Sequence, residues 1–287
     1  MKSTISIIIP ARNEAKSLSQ LLPVLCQDYP EAEIIVVDDG STDETAQLCA
    51  EYSIRHLHHP YSKGNGAAIK SGARLAQGDI LVFMDGDGQH NPSDISPLIQ
   101  KIEAGFDMAV GARDRQSQAS LWRMCANGFY NRLASWMVGH QIMDLTSGFR
   151  AVRSHHFREF LYLLPNGFSY PTTITMAFFR AGYSTAYVSI KTSNRNGKSH
   201  IKPVQDGIRF LLIIFRVGTL YSPLKVFVPM SLTFFFTGLA YYLYTYISEQ
   251  RFTNMGVLLF ITSVIIFLIG LVSEQITNLL YTTSNKD

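Results

Sequence analysis

Glu33-Ile34-Ile35-Val36-Val37-Asp38-Asp39-Gly40-Ser41-Thr42-Asp43-Glu44 runs from an unbroken apolar stretch into a polar turn. Consecutive Ile and Val without polar alternation suit a strand covered on both faces, the habit of parallel sheets. The stretch stops on two carboxylates and a glycine. Ser41 to Glu44 then reads as a helix start, a small polar cap followed by acids that the helix dipole favours. The same unit recurs in both directions along the chain. Ile5–Ile9, Ile54–Leu57, Ile80–Met84 and Met108–Val110 read as strands, with Glu14–Cys26, Asp43–Glu51, Ala67–Ala76 and Pro92–Glu103 as helices between them. Asn91-Pro92 opens the last helix with proline in its first turn. Strands alternating with helices predict an α/β domain built on a parallel sheet. Beyond Gly111 the pattern loosens, with helices over Leu121–Val138 and Thr173–Arg180 and a strand over Gly148–Val152.

Of the 287 residues, 47% are hydrophobic and only 16% charged, against roughly 25% charged in a typical soluble domain. The deficit is local. Val226–Ile247 and Phe252–Ser273 are two runs of 22 residues without Asp, Glu, Lys or Arg, each long enough to cross a hydrocarbon core of about 30 Å. This composition excludes a plain cytosolic enzyme, a disordered chain and a collagen-like repeat. It predicts a domain over residues 1–202, an interfacial juxtamembrane helix over 203–225, and a transmembrane hairpin with a short tail over 226–287. Ile208, Leu211, Leu212 and Phe215 give that middle segment its helical spacing.

Net charge is +3, and its distribution is uneven. Seven Lys and Arg lie from Lys191 to Lys225 against Asp206 alone, a basic collar just before the first apolar run. The positive-inside rule then puts the main domain on the cytoplasmic side, and membrane adjacency explains the collar without a nucleic-acid partner. Cys26, Cys49 and Cys125 form no C-x-x-C pair, which argues for reduced thiols rather than a disulfide framework or zinc site. The N-terminal apolar stretch Ile5–Ile9 is too short for a secretory signal and ends at Pro10. Tyr241, Tyr242, Tyr244 and Tyr246 read as an interfacial aromatic belt, and Arg12, Arg55, Arg74 and Arg158 as ordinary surface charge.

Ligands of a parallel α/β sheet bind outside the carboxyl ends of its strands. There the chain places Pro10-Ala11-Arg12-Asn13-Glu14, Asp38-Asp39-Gly40-Ser41 and Asp85-Gly86-Asp87-Gly88-Gln89-His90. Alternate residues of an extended segment point the same way, so Asp85, Asp87 and Gln89 can share one divalent cation. Hard oxygen donors suit Mg2+ or Mn2+, whose shell phosphate oxygens commonly complete. An EF-hand would need Gly and Glu where this chain has His90 and Ser96. Gly64-Asn65-Gly66 lacks the third glycine of a dinucleotide fingerprint, and the chain has neither a P-loop nor a G-x-S-x-G elbow.

In order, the Pro-Ala-Arg-Asn-Glu start, Asp38–Asp43, Lys63-Gly64-Asn65-Gly66, Asp85–His90, Gly111-Ala112-Arg113 and Ser147-Gly148-Phe149-Arg150 resemble family-2 glycosyltransferases. The resemblance is to the polyprenyl-phosphate branch, like dolichol-phosphate-mannose synthases, and covers residues 4–200. It implies a GT-A (Rossmann-like) catalytic domain with a C-terminal two-helix transmembrane hairpin, as in bacterial members with two spans. It also implies sugar transfer, with inversion, from a GDP- or UDP-sugar to undecaprenyl or dolichyl phosphate at the cytoplasmic leaflet of the inner membrane. By the same resemblance Pro10, Asn13, Glu14, Asp38 and Asp39 line the nucleoside pocket, while Asp85, Asp87 and Gln89 take metal and diphosphate. Arg113, Arg123 and Asn127 surround the donor diphosphate and lipid phosphate, with Arg150 also assigned to substrate. Arg195 and Ser199 lie in a loop over the site. His200 stands where the family usually has Lys, leaving two options for that loop's charge, permanent or titrating. Rival readings are transfer to diacylglycerol or to a lipid-linked sugar, and a membrane scaffold that binds sugar nucleotides without catalysis.

Overall fold

The computed structural model describes residues 3–113, 121–167, 169–191, 208, 211–216, 218–219, 222–251 and 253–284. In chain order the elements are β1 (Ile5–Ala11), α1 (Ala15–Asp28), β2 (Glu33–Asp38), α2 (Thr45–Ala50), β3 (Arg55–His58), α3 (Asn65–Leu75) and β4 (Ile80–Phe83). A 3-10 turn at Pro92–Asp94 leads into α4 (Ile95–Glu103), then β5 (Met108–Arg113), α5 (Leu121–Val138), β6 (Arg150–Arg153) and α6 (Ser154–Glu159). Last come α7 (Tyr170–Arg180), β7 (Thr185–Ile190), α8 (Pro223–Glu249) and α9 (Asn254–Ser284). They form two compact units. One holds residues Met1–Trp136 and His140–Ile214, the other Met137–Gly139 and Phe215–Asp287.

The first unit is a seven-stranded sheet in the order β3-β2-β1-β4-β6-β5-β7. The runs of Ile and Val in β1 and β2 are buried on both faces, as their lack of alternation predicts. Helix α1 turns Leu18, Leu21, Leu22 and Leu25 inward, and α4 turns Ile95, Leu98, Ile99 and Ile102. These i, i+3, i+4, i+7 sets meet Ile7, Ile9, Val36 and Val82 in one core, each side chain contributing about 1.5–3 kcal/mol by burial. On the other face α3 crosses closely at Gly72, where a Cβ would stand 2.4 Å from Ile8 Cγ2.

Two expectations need correction. The sheet is mixed, because β6 runs antiparallel to both β4 and β5, while β5 and β7 pair in parallel. The strand β7 has no counterpart in the sequence reading. Arg158 is also more than surface charge: its guanidinium donates to Ala73 O (3.1 Å) and Ala76 O, satisfying the last carbonyls of α3. Arg55 pairs with Glu33. Cys26 and Cys49 are free thiols.

The second unit centres on a helical hairpin. Helix α8 starts at Pro223, ahead of the uncharged run, and the expected helix over 203–225 falls largely outside the described residues. Pro223–Ser248 and Asn254–Thr277, 26 and 24 residues with mean hydropathy 1.5 and 2.8, are long and apolar enough to cross a membrane. Ser231 and Ser263 join the helices reciprocally: each Oγ donates to the other residue's carbonyl, at 3.0 and 2.9 Å. Tyr244 and Tyr246 face outward.

Candidate active site

Going outward from the sheet centre, the chain passes β1 to β3 on one side and returns to β4 on the other, so the order reverses between β1 and β4. That reversal opens a crevice at the carboxyl ends of the parallel strands. The register Ala11↔Asp38, Ile8↔Phe83, Phe83↔Arg150 and Val110↔Arg150 brings the ends of β1, β2, β4 and β5 to this edge, with the start of β6.

The β1 and β2 loops are knitted together. Asn13, at φ +55°, donates its N–H to Ser41 Oγ (2.9 Å), and its Oδ1 accepts from Thr42 N (2.8 Å). Asp43 serves two helices: Oδ2 accepts from Ala15 N at the start of α1 (3.1 Å), and Oδ1 from Thr45 N (3.1 Å). The N-cap position of α2 is Glu44, whose side chain makes no capping bond, and Asp43 just before it takes the Thr45 N–H. Pro10 is half-buried in β1, and Glu14 accepts from Ser17 Oγ at 3.3 Å.

Asp38 and Asp39, expected at the nucleoside, are both buried and hydrogen-bonded within the protein. Asp38 accepts from Ser41 N (2.8 Å) and bonds His58 Nδ1 (2.9 Å). Asp39 takes four bonds of 2.8 Å, from His59 Nδ1 and Lys63 N on one oxygen and from Ser62 Oγ and Gly64 N on the other. Four donors fill a carboxylate's acceptor sites, so Asp39 serves as the post that shapes the loop into α3. His59, itself buried, spans on to Ser71 Oγ at 3.0 Å. Burial alone would raise both carboxyls, but these hydrogen bonds outweigh it and hold them below the usual carboxylate range.

After β4, Asp85, Asp87 and Gln89 are half-buried, and Gln89 N donates to Asp87 Oδ1 at 3.2 Å. His90 is buried and stacks on Phe149 with centroids 4.8 Å apart. Burial pushes its pKa down to about 4, so the ring is neutral near pH 7. Among the described residues no three His, Cys, Asp or Glu gather as a metal-holding group. The fit to Mg2+ or Mn2+ rests instead on two carboxylates and an amide, hard donors that leave room for phosphate oxygens. Gly148 keeps that room: a Cβ there would stand 3.0 Å from Asp85 Oδ2.

Arg113, at the end of β5, is clamped by Asp144, with Nε 2.8 Å from Oδ2 and Nη2 3.0 Å from Oδ1; Nη2 also reaches Thr146 Oγ1. Asp144 accepts from Thr146 N (3.0 Å) and Ser147 N (3.1 Å) as well. Burial opposes both charges, yet the pair overrides it, lowering the Asp144 pKa and raising that of Arg113. Sequence reasoning missed Asp144. Its signal was an acid just upstream of Ser147-Gly148-Phe149-Arg150, in a loop with no helix to cap.

Arg150, expected at the substrate, lies at the start of β6. It is fully buried under the site, donating to Thr175 Oγ1 (3.1 Å), Pro171 O (3.4 Å) and Ser147 O, with its guanidinium 5.7 Å from the Tyr170 ring centroid. It supports the turn that begins at Ser147. Tyr170, unanticipated, donates its hydroxyl to Gly148 O at 2.8 Å. Asn127 is half-buried on α5; Arg123 lies on the same helix, its side chain outside the described part of the structure. Arg195, Ser199 and His200 fall outside the described residues.

Comparison with known proteins bears on this edge and on the hairpin. The Glycosyl transferase family 2 description matches residues 6–161, and that of the GtrB C-terminal hairpin matches residues 222–279. The polyprenol monophosphomannose synthase of Mycolicibacterium smegmatis is 32% identical over 208 residues, 66% of this chain and 77% of the relative. An undecaprenyl-phosphate 4-deoxy-4-formamido-L-arabinose transferase of Proteus mirabilis is 34% identical over 164 residues, 53% of this chain and 49% of its own length. The fold is similar to glucosyl-3-phosphoglycerate synthase from Mycobacterium tuberculosis, solved with Mn2+, uridine diphosphate and phosphoglyceric acid. That likeness has a TM-score of 0.61 at 20% identity and covers 76% of this chain and 79% of that one. With a GT-A sheet, its polar edge and the hairpin in one chain, the protein belongs to glycosyltransferase family 2 and is a glycosyltransferase.

Proposed function

We propose that this glycosyltransferase moves one sugar, with inversion, from a GDP- or UDP-sugar to a polyprenyl phosphate at the cytoplasmic leaflet of the inner membrane. The observation that carries the reading is the union, in one chain, of the family-2 domain with two helices of membrane length. Relatives with the same domain are named for polyprenyl-phosphate acceptors. The basic collar from Lys191 to Lys225 supports the cytoplasmic side, and the helix over 203–225 is assigned to the interface.

A phosphate monoester carries about −1.5 to −2 charge at neutral pH, so its oxygen is already nucleophilic and needs no general base. What the chain must supply is positive charge near two anionic groups. Arg113 is built for this: Asp144 and Thr146 hold Nε and Nη2 in place, leaving the Nη1 fork for phosphate. Arg123 and Asn127 on α5 are assigned to the lipid phosphate. Asp85, Asp87 and Gln89 would hold Mg2+ or Mn2+, which offsets the charge of the leaving diphosphate when bound. Pro10, Asn13 and Glu14 are assigned to the nucleoside, and Arg195 and Ser199 to the loop over the site.

The test is nucleotide release and lipid-linked sugar formation by the full chain in vesicles, across nucleotide sugars and acceptors. Product only with polyprenyl phosphate supports the reading. Product with diacylglycerol or a lipid-linked sugar, or nucleotide binding without any transfer, replaces it.

A further inference from the structure

Residues 140–149, between α5 and β6, form no helix or strand, yet they carry Asp144, the clamp on Arg113. Side chains hold this stretch in place. Thr146 N and Ser147 N donate to Asp144 Oδ1 at 3.0 and 3.1 Å. Ile142 N donates to Ser135 Oγ at 2.9 Å, and Leu145 N to Asn131 Oδ1 at 3.1 Å, both partners lying on α5. The Asn131 amide uses its other end as well: Nδ2 donates to Met143 O at 2.7 Å. One side chain thus grips the residue before Asp144 by its carbonyl and the residue after it by its N–H.

An amide offers a donor and an acceptor at fixed separation, so it can pin two peptide units and leave the residue between them one place to stand. Leu145 is fully buried, where a backbone N–H left without a partner is costly. Asp144 passes the placement on. It accepts from Arg113 Nε and Nη2, and its Oδ1 also takes the Thr146 hydroxyl at 3.1 Å, whose oxygen in turn accepts from Arg113 Nη2. Asn131 and all of these residues lie within the first unit.

Four-residue steps put Arg123, Asn127, Asn131 and Ser135 on one face of α5. The first two are assigned to the lipid phosphate; the last two hold the loop that aims Arg113. We propose that Asn131 is a positioning residue for the donor diphosphate: by bracketing Asp144 it sets the direction in which Arg113 presents its guanidinium. This rests on the reading of Arg113 as a phosphate ligand in the function proposed above, and deepens it by extending the donor site to a helix otherwise assigned to the acceptor.

The test is a double-mutant cycle on the full chain, titrated by calorimetry with GDP and UDP in the presence of Mn2+, and with guanosine and uridine. Asn131→Ala is expected to weaken the tighter-bound diphosphate about tenfold and to leave its nucleoside unchanged. Arg113→Ala should do the same. The double variant should bind no more weakly than Arg113→Ala alone, because Asn131 acts through Arg113. Ser135→Ala is the control: it frees Ile142 N on the same loop, so it should lower the denaturation midpoint and keep nucleotide affinity. Asn131→Gln, which keeps the amide but displaces it by a methylene, replaces Asn131→Ala if that variant does not fold, with the same expectation. Wild-type affinity in the Asn131 variant, losses that multiply in the double variant, or an equal loss in Ser135→Ala overturns the proposal. Lipid-linked sugar formation by the wild type is followed alongside. If the cycle holds but no sugar reaches polyprenyl phosphate, the acceptor reading fails and the positioning role stands. Transfer together with multiplying losses refutes the positioning role alone, and a wild type that binds neither nucleotide refutes both.

Discussion

Arg113 and Asp144, 31 residues apart in sequence, meet through two parallel hydrogen bonds of 2.8 and 3.0 Å at the open edge of the sheet. The arginine is thereby fixed before any ligand arrives, so no side-chain entropy remains to be lost when phosphate binds. Asp144→Asn should cost about 1.5–3 kcal/mol of stability, the worth of a hydrogen bond to a charged group, and should weaken donor binding. The Asp144 carboxyl lies below its ordinary pKa. Its contribution is therefore complete above the unfolded value near 4 and is lost as pH falls through the lower folded value. An unchanged denaturation midpoint in Asp144→Asn at pH 7 would remove this pair from the account.

Gly148 has an ordinary backbone but no room for a side chain beside Asp85. Gly148→Ala should push the Asp85 carboxylate aside and reduce Mn2+ affinity about tenfold, or roughly 1.4 kcal/mol, with little change in helix content. Mn2+ titration followed by paramagnetic resonance checks this, and wild-type affinity in the variant would contradict it.

Asp87→Ala should lower turnover at least a hundredfold, about 2.7 kcal/mol of transition-state stabilisation, while circular dichroism stays that of the wild type. Wild type in excess EDTA should behave likewise. Normal transfer rates in either case would dismiss the metal assignment.

Asp39 can be tested as a structural against a ligand-binding carboxylate. Asp39→Ala strands His59, Ser62 and two backbone N–H groups, and should destabilise by about 3–5 kcal/mol. Asp39→Asn, which keeps an acceptor oxygen, should recover part of that and leave the donor KM near wild type. A stable Asp39→Ala with a raised donor KM would return Asp39 to the nucleoside pocket.

The layout of β1 to β5 was legible because Ile7 to Ile9, Ile34 to Val37 and Ile80 to Phe83 are buried on both faces, and such strands show as plain apolar runs. Direction was not legible: β6 reads as a strand, but nothing in Arg150-Ala151-Val152-Arg153 tells parallel from antiparallel. Thr185–Ile190 escaped because it lies at the sheet edge, mixing exposed and buried positions. For the site, the polar strand ends were visible as motifs, while their orientation depends on contacts distant in sequence. Arg150 as a buried prop needs Thr175 and Tyr170, and Asp39 as a loop post needs His59. A motif names the residue types at an edge; which of them face the ligand is decided by partners that the motif does not contain.

The reciprocal serine bonds of the hairpin have a mechanical consequence. Sliding α8 past α9 by one turn, about 5.4 Å, would break both bonds between Ser231 and Ser263 and leave each hydroxyl only a carbonyl of its own helix, the partner that Thr262 finds in Leu258 O. The two helices thus favour one register, and a piston-like slide between them costs both bonds. In a bilayer of another thickness such a pair would tilt together as one wedge.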